Sequence, residues 1–401
     1  MRVLLIAPTQ GFSSKDAGYG NASASFVTIF SMMMSQKTIS KLTIVNTLEQ
    51  ISKENLDNAD EFDIGFLVVN PFSLLNPIDK ELLYHLMRNC KRKFLNILWE
   101  TLPLPRAWSF LFDDSTFFDG FVASSYFIGN QLLNLTKKKV YYFPIYVDFS
   151  KYTLTDLEIK KQEEKFTVLF VGQNTKRKGV EDSIIAYSRA LGVTKDSRLV
   201  MKYHLLSDIE FSVEDLIKCC AQTNMECKNT SIYTINKELT SEEMVTLYKS
   251  VSVLLFLSRG EGFGLPAVES MLCGIPVVYT NWSSSAEVAK SPVNYSVKYV
   301  LDEAHSMYHH NYEYGSYYGV PLIRDSIVGL ASLYKLWKED KEAYYIKAQG
   351  NRDIILERFS VQKIIQCFEH IFEDKEGFCP KELYDEILMK RLQSQWNEYV
   401  R

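Results

Sequence analysis

The chain has 401 residues, of which 46% are hydrophobic and 23% charged, and its formal net charge is −4 at pH 7. This composition is typical of a globular protein, and the length suits two domains of roughly 150–200 residues each. The mildly acidic balance excludes a strong overall attraction to nucleic acid or to an anionic membrane surface.

Seven cysteines are scattered along the chain without a Cys-x-x-Cys pair, which argues against a zinc site or a dithiol redox centre. The apolar N-terminal run, Met1–Ala7, is too short for a signal peptide and is typical of a first strand. No uninterrupted apolar stretch approaches the roughly 18 residues of a membrane span. We therefore predict reduced thiols and a cytoplasmic protein without a transmembrane segment, with peripheral membrane association as an open alternative.

The first part of the chain alternates predicted strands with predicted helices. Strands are predicted at Val3–Ala7, Leu42–Asn46, Ile64–Val69, Phe94–Leu98, Gly120–Ala123 and Val140–Phe143, and helices at Ala22–Met34, Asp79–Cys90 and Ser125–Leu135. Such alternation favours a parallel sheet covered by helices on both faces. We therefore predict a first α/β domain over residues 1–152.

A second alternating series follows the charged segment Thr153–Lys165, which we interpret as a linker. Strands are predicted at Phe166–Val171, Leu199–His204, Ser231–Ile235, Val251–Leu257 and Pro276–Tyr279, and helices at Val180–Ala190, Ser241–Ser250 and within Ser326–Phe372. This series predicts a second α/β domain over residues 166–379, followed by a charged amphipathic tail at 380–401.

A glycine-rich segment, Ser258–Glu269, follows the buried strand predicted at Val251–Leu257. Pro266 suits the first position of a helix and Gly274 suits its end. The arrangement of strand, glycine loop and helix start presents backbone N–H groups to a phosphate. Glu261 in the loop and Glu269 in the first turn would face one cavity, and carboxylates beside a phosphate site indicate ribose or sugar hydroxyls as partners.

The Glu-x₇-Glu spacing within Gly-Glu-Gly-Phe-Gly-Leu-Pro-Ala-Val-Glu, followed by Gly-Ile-Pro-Val-Val, resembles the donor-site signature of retaining glycosyltransferases of family 4. The resemblance implies the GT-B fold, in which two Rossmann-like, doubly wound parallel-sheet domains face a cleft. It places residues 380–401 in a C-terminal helix that crosses back onto the first, acceptor-side domain. The alternative is a glycine-rich strand–helix turn with two solvated glutamates.

The resemblance also implies an activity and a set of roles. The enzyme would move a hexosyl or pentosyl group from a UDP- or GDP-sugar to an acceptor hydroxyl with retention, without a metal or a further cofactor. Glu269 would bind the ribose, and Glu261 would bind sugar hydroxyls and favour an oxocarbenium-like transition state. The donor diphosphate would meet the loop backbone at Gly262, Phe263, Gly264 and Leu265.

A second candidate segment, the basic turn Gly172–Gly179, follows the first strand of the second series. It resembles the family's Gly-Arg-x₄-Lys-Gly turn, whose cations bind the donor diphosphate. Gly172 and Lys178 match that pattern, but Gln173 stands at the arginine position, and Arg177 is the candidate substitute. The alternative is a solvated basic turn.

Three further candidates lie elsewhere in the chain. Gly18 and Gly20 precede the first predicted helix and resemble a glycine turn that approaches the donor or acceptor; a loop hinge is the alternative. Glu100 follows a buried strand within Trp99–Trp108, where it would either orient the acceptor or cap the proline-rich turn. The serines of Trp282–Glu287 would bound the sugar pocket or form a helix cap.

The residues leave the acceptor and three other functions open. The acceptor would be a glycan, lipid, small molecule, protein or nucleobase. A GT-B epimerase or phosphorylase would share the fold, and Gln173 is compatible with a non-catalytic nucleotide-sugar-binding protein. A phage-type glycosyltransferase acting on a modified DNA base would fit the Tyr-, Phe-, Lys- and Asn-rich composition, although no long basic stripe demands DNA.

Overall fold

The computed structural model describes residues 1–7, 17–45, 61–204, 212–223, 231–304 and 315–375. The chain divides into two compact units. The first contains the described residues of Met1–Val147, Asn311–Ser316 and Phe359–Arg401, and the second those of Asp148–His310 and Tyr317–Arg358.

The first unit is built on a six-stranded parallel sheet in the order β2-β1-β3-β4-β5-β6. Its strands are β1 (Arg2–Ile6), β2 (Lys41–Val45), β3 (Phe62–Leu67), β4 (Cys90–Ile97), β5 (Gly120–Ala123) and β6 (Lys139–Tyr142). Its helices within residues 1–147 are α1 (Ala17–Ser35), α2 (Pro77–Met87) and α3 (Tyr126–Leu135). All four residues of β5 are buried, as expected for a central strand with both faces covered.

The second unit has a six-stranded parallel sheet in the order β12-β11-β10-β7-β8-β9 and an antiparallel pair, β13-β14. Its strands are β7 (Phe166–Gln173), β8 (Ser197–His204), β9 (Ile232–Ile235), β10 (Val253–Phe256), β11 (Val277–Thr280), β12 (Tyr295–Val297), β13 (Tyr299–Glu303) and β14 (Tyr317–Pro321). Its helices are α4 (Leu157–Lys161), α5 (Val180–Leu191), α6 (Val213–Thr223), α7 (Ser241–Lys249), α8 (Leu265–Leu272), α9 (Ser283–Val288), α10 (Ile323–Glu339) and α11 (Lys341–Phe359). The predicted α/β class is confirmed by these two sheets.

The last described helix, α12 (Val361–Phe372), packs on the first sheet. The ring of Phe368 lies 5.4 Å from that of Phe26, 4.5 Å from that of Phe30 and 4.3 Å from that of Phe143. This aromatic cluster places α12 in the first unit, whereas the sequence prediction included it in the second domain. The helix predicted at 380–401 lies outside the described residues.

The segment Thr153–Lys165 is not the open linker that its charge suggested. It contains α4, and its Lys160 is only 3% exposed. The Lys160 ammonium donates to Glu163 at 2.8 Å and to the carbonyl of Val251 at 2.7 Å. This lysine ties the segment to the second unit, and the two units meet in sequence at Val147 and Asp148.

The first helix begins earlier than predicted, at Ala17 instead of Ala22. Gly18 and Gly20 therefore lie in its first turn, and the prediction of a glycine turn ahead of the helix is wrong. The buried Tyr19 hydroxyl donates to the carbonyl of Leu98 at 2.9 Å. This tertiary contact stabilises a helix start that glycine propensity alone disfavours.

No helix among the described residues is both long and apolar enough to span a bilayer. Among the described residues, no disulfide joins the cysteines Cys90, Cys219, Cys220, Cys273 and Cys367.

Candidate functional site

The basic turn and the glycine-rich loop lie together at the carboxyl ends of β7 and β10, which are paired in parallel. Gly179 has a φ of +69°, and a Cβ there would lie 2.2 Å from the carbonyl oxygen of Leu257. A Cβ at Gly172 would lie 3.3 Å from the Cβ of Lys178. The glycines therefore let the turn lie directly against the end of β10 and bring the Lys178 stem against Gly172.

Three predicted site residues meet at this edge, and we call Arg177, Lys178 and Glu261 the carboxyl-edge cluster. The Nζ atom of Lys178 lies 2.6 Å from Oε1 of Glu261, and Nη1 of Arg177 lies 3.8 Å from Oε2. The same Arg177 nitrogen donates to the carbonyl of Gly260 at 2.8 Å. We expected Glu261, Glu269 and Lys178 to converge: Lys178 and Glu261 are in direct contact, whereas Glu269 bonds Tyr152 and Tyr248, and its place beside Glu261 in one cavity stays a prediction.

The electrostatics of this cluster keep its carboxylate ionised. Burial alone would raise the pKa of Glu261, but the charges of Lys178 and Arg177 outweigh it and hold this pKa below its ordinary value. Two cations, Lys178 and Arg177, therefore face the one carboxylate of Glu261. The side-chain exposure is 8% for Glu261, 14% for Lys178 and 18% for Arg177.

Two buried serines fix the main chain of Glu261. The N–H of Glu261 donates to Oγ of Ser283 at 2.9 Å, and Oγ of Ser284 donates to the Glu261 carbonyl at 2.7 Å. Ser283 has a φ of +53°, in the left-handed region that favours glycine. The cap of α9 is Trp282, which makes no side-chain cap bond, so the serine cap considered from the sequence is wrong for Ser283 and Ser284.

The glycine-rich loop leads into α8 as predicted. Gly264, with a φ of +96°, is the N-cap, and Pro266 is the second helical residue and not the first, as we had predicted. Gly274, with a φ of +74°, follows the end of the helix. Glu269 is the fifth residue of α8 and so lies just beyond the first turn in which we predicted it.

Glu269 has a different environment from Glu261. Its Oε1 accepts a hydrogen bond from the hydroxyl of Tyr152 at 2.7 Å, and its Oε2 accepts one from Tyr248 at 2.8 Å. Burial raises the pKa of Glu269 above its ordinary value, although these hydrogen bonds act in the opposite direction. Each carboxylate oxygen keeps a second lone pair for another donor.

The remaining loop and turn residues vary in exposure. Gln173 is the last residue of β7 and lies opposite His204 of β8. Phe263 is buried, at 3% exposure, whereas Gly262 and Leu265 are partly exposed. Within the described residues, no three His, Cys, Asp or Glu side chains cluster as metal ligands would.

The predicted Trp-Glu…Trp pattern lies in the first unit and forms an aromatic cluster. The Trp99 ring lies 4.9 Å from that of Trp108, and its Nε1 donates to Oγ1 of Thr101 at 2.7 Å. Glu100 between them is partly exposed, and its acceptor-orienting role stays a prediction. A Cβ at Gly20 would meet no described atom within 4 Å, so no close approach requires that glycine.

Two adjacent tyrosines, Tyr317 and Tyr318, begin β14, whose pairing with β13 the sequence did not predict. Sequence reasoning also missed Tyr152 and Tyr248 as partners of Glu269. Neither has a spacing to Glu269 that would have indicated the contact.

A known family matches the second unit. Residues 155–304 match the family model for glycosyl transferases group 1. This range holds the basic turn, the glycine-rich loop and both glutamates.

Curated relatives match a limited part of the chain. An uncharacterized glycosyltransferase from Methanocaldococcus jannaschii is 32% identical over 133 residues, which are 33% of this chain and 32% of that protein. The serotype-specific mannosyltransferase WbdA from Escherichia coli is 26% identical over 142 residues, which are 35% of this chain and 17% of that protein. The chain thus aligns with about a third or less of these relatives' own length.

Solved structures match most of the chain. HepE from Anabaena, crystallised with UDP-glucose, has a TM-score of 0.60 at 14% identity, covering 93% of this chain and 100% of that one. At such low identity the likeness establishes the fold and no more. The chain therefore has the GT-B fold of two Rossmann-like units, and its residues 155–304 are similar to glycosyl transferases group 1.

Proposed function

We propose that the protein transfers a glycosyl group from a nucleoside diphosphate sugar to an acceptor hydroxyl, with retention at the anomeric carbon. The observation that carries this proposal is the carboxyl-edge cluster of Arg177, Lys178 and Glu261. Open α/β sheets bind ligands at the carboxyl ends of their strands. The match to glycosyl transferases group 1 over residues 155–304 supports the same reading.

The two cations of the cluster suit a diphosphate. A lysine ammonium has three donors, so Lys178 can keep its bond to Glu261 and still donate to phosphate oxygens. Arg177 adds a second cation, and the start of α8 after Gly264 adds backbone N–H groups and the positive end of the helix dipole. These groups would stabilise the charge that the diphosphate gains as it leaves.

Glu261 would act on the sugar. As the bond from the anomeric carbon to the diphosphate oxygen breaks, its electron pair leaves with the diphosphate and the sugar ring gains positive character. An ionised Glu261 would hold sugar hydroxyls and favour this positive charge. The acceptor oxygen then bonds to the same face of the anomeric carbon, and its proton passes to the departing diphosphate or to water. We assign no protein nucleophile.

Glu269 would bind the ribose of the donor. Its two oxygens each accept from one tyrosine and can each accept one further hydrogen bond. The hydroxyls of Tyr152 and Tyr248 would fix the carboxylate so that both free lone pairs face the ribose diol. Ribose is unchanged in the reaction, so this contact would contribute binding and not transition-state stabilisation.

The first test is nucleotide binding by the intact chain. UDP and GDP, each at a concentration well above its Kd, should raise the melting temperature, since ligand binding to the folded state adds stability by mass action. Lys178→Gln should abolish most of that shift. Lys176→Gln removes the same charge from an exposed position in the same turn, and it should retain the shift.

The second test is turnover. UDP-glucose, UDP-N-acetylglucosamine and GDP-mannose would be screened for release of the nucleoside diphosphate, and the anomeric configuration of any product assigned by NMR. A melting temperature that neither UDP nor GDP changes would overturn the proposal. Binding without release from any tested donor would favour a non-catalytic nucleotide-sugar-binding protein, and an inverted product would overturn retention.

A further inference from the structure

Arg259 is a buried cation of the glycine-rich loop to which the proposed chemistry assigns no role. It lies between β10 and Glu261, and its side chain is only 8% exposed. Its Nε and Nη2 atoms donate to the same oxygen of Asp182, at 2.9 and 2.7 Å. Asp182 is the third residue of α5 and has a side-chain exposure of 10%.

The backbone of Arg259 also joins neighbouring segments. Its N–H donates to the carbonyl of Arg177 at 2.7 Å, and its own carbonyl accepts from the N–H of Gly319 at 2.9 Å. Its guanidinium carbon lies 5.7 Å from the ring centroid of Tyr318. Arg259 therefore links three segments: the basic turn with the start of α5, the glycine-rich loop, and β14.

These links bear directly on the carboxyl-edge cluster. Asp182 lies in the first turn of α5, which begins immediately after the basic turn that carries Arg177 and Lys178. Arg259 lies two residues before Glu261 in the sequence. A pair between Arg259 and Asp182 thus fixes the segment that carries the cations against the segment that carries the carboxylate.

We infer that Arg259 and Asp182 form a positioning pair for the proposed reaction. The Arg259 side chain bonds Asp182 and lies over the ring of Tyr318, so its effect on the cluster would pass through the two backbone segments. Arginine suits this position because its planar fork fixes direction as well as charge. The inference rests on the proposed function, since it concerns the geometry of the same cations and carboxylate.

The expected signature is a loss of turnover that exceeds the loss of binding. A donor diphosphate can be held by Lys178 or Arg177 in more than one arrangement. Bond cleavage requires both cations and Glu261 in one arrangement, and a displacement of about 1 Å typically costs on the order of 100-fold in rate. Arg259→Gln should therefore lower kcat for nucleoside diphosphate release about 10- to 100-fold, with a smaller rise in donor KM.

A matched control comes from the ion pair near the amino ends of the same strands. Lys160 is 3% exposed and pairs with Glu163 near the amino end of β10. Lys160→Met should lower the melting temperature at least as much as Arg259→Gln but leave kcat unchanged. Asp182→Asn should lower kcat like Arg259→Gln, and the double variant should lose no more than Arg259→Gln alone.

The assay would use the fastest of UDP-glucose, UDP-N-acetylglucosamine and GDP-mannose, with UDP and GDP binding measured in parallel. Arg259→Lys keeps the charge but not the planar fork of the guanidinium, and its kcat should fall about 5-fold or more. This variant replaces Arg259→Gln in the assay if Arg259→Gln does not fold. If the wild type turns over and the Arg259→Gln or Arg259→Lys variant has the same kcat as Lys160→Met, the positioning pair is overturned and the proposed function is not. A wild-type protein that binds neither nucleotide would overturn the proposed function and this inference together.

Discussion

Two buried lysine–glutamate pairs lie at opposite ends of the same strands in the second unit. At the carboxyl ends of β7 and β10, Lys178 Nζ lies 2.6 Å from Glu261. Near the amino ends, Lys160 Nζ lies 2.8 Å from Glu163. The pairs have the same chemistry and nearly the same length, so any difference in role comes from what surrounds them.

The pair near the amino ends is saturated and balanced. Lys160 also donates to the carbonyl of Val251 at 2.7 Å, and its ammonium lies 5.0 Å from the ring centroid of Tyr345. Glu163 accepts from Ser252 at 3.2 Å and from the Tyr345 hydroxyl. One cation faces one anion, and neighbouring groups occupy both. These contacts indicate that the pair of Lys160 and Glu163 has a structural role.

The carboxyl-edge cluster has different surroundings. Arg177 adds a second cation 3.8 Å from Glu261. The cluster lies at the carboxyl ends of β7 and β10, the edge at which open α/β sheets bind ligands. The comparison indicates that this position, and not buried ion pairing as such, identifies the candidate site.

The largest expected effect is on stability, at the amino-end pair. Lys160→Met should lower the free energy of unfolding by about 3–5 kcal/mol, because it removes the cation beside the largely buried Glu163 carboxylate and the donor to the buried carbonyl of Val251. Urea unfolding monitored by circular dichroism would measure this loss. Adding Glu163→Gln should recover part of it. A change below about 1 kcal/mol would mean that the pair near the amino ends is not structural.

The next effect should appear in catalysis, at Glu261. Glu261→Gln removes negative charge beside the reacting sugar, where positive character develops only in the transition state. We expect kcat to fall by about 100- to 1000-fold, the scale seen when one preorganised electrostatic contact is lost. Steady-state kinetics of nucleoside diphosphate release would show it, with donor KM little altered. A large KM effect at unchanged kcat would reverse the assigned role.

Local pattern was enough to predict most of this cluster. Strand, glycine loop and helix follow one another within about twenty residues, and their order indicated Glu261 at a strand end. Lys178 was indicated by the resemblance of the turn after β7 to the family's Gly-Arg-x₄-Lys-Gly turn, and parallel strands bring their carboxyl ends to one edge. Arg177 was considered only as a substitute for the absent arginine, and the structure places its guanidinium beside Glu261.

The contacts that surround the cluster were not predictable, because they join residues without a shared periodicity. Ser283 and Ser284 bond the main chain of Glu261 from more than twenty residues away. Tyr152 lies over a hundred residues from Glu269. The glycines at 18 and 20 show the converse error, since a local propensity was overridden by the buried anchor of Tyr19.

The third prediction concerns Glu269. Glu269→Gln keeps the shape of the side chain but weakens a charge-assisted bond to a group that does not change in the reaction. Donor KM should therefore rise more than kcat falls, by an amount that corresponds to about 1.5–3 kcal/mol. Isothermal titration with UDP and GDP would measure the same loss in binding. Loss of kcat alone would contradict the ribose role.

The two glutamates should also differ in the pH dependence of stability. Glu261 has a lowered pKa, so its contribution is present above its unfolded pKa of about 4.5 and is lost as pH falls through the folded value. Glu269 has a raised pKa, so its ionisation disfavours the folded state. The wild type therefore loses stability as the pH rises from the unfolded pKa of about 4.5 through the higher folded value. Relative to wild type, Glu261→Gln should become less stable as pH rises, and Glu269→Gln more stable. Denaturant titrations at a series of pH values would show the two opposite slopes, and equal slopes would contradict the assigned environments.

The smallest effect should separate backbone strain from the hydrogen bond at Ser283. Ser283→Ala keeps a Cβ at a φ of +53° and loses the bond from the Glu261 N–H. Ser283→Gly loses the same bond but relieves the left-handed strain. Ser283→Ala should therefore cost about 1 kcal/mol more in unfolding free energy than Ser283→Gly, while both lower kcat by a similar factor if the bond positions Glu261. Equal stabilities would show that strain at Ser283 is negligible. Wild-type kcat in both variants would show that Glu261 is held without this serine, by Ser284 and the two cations.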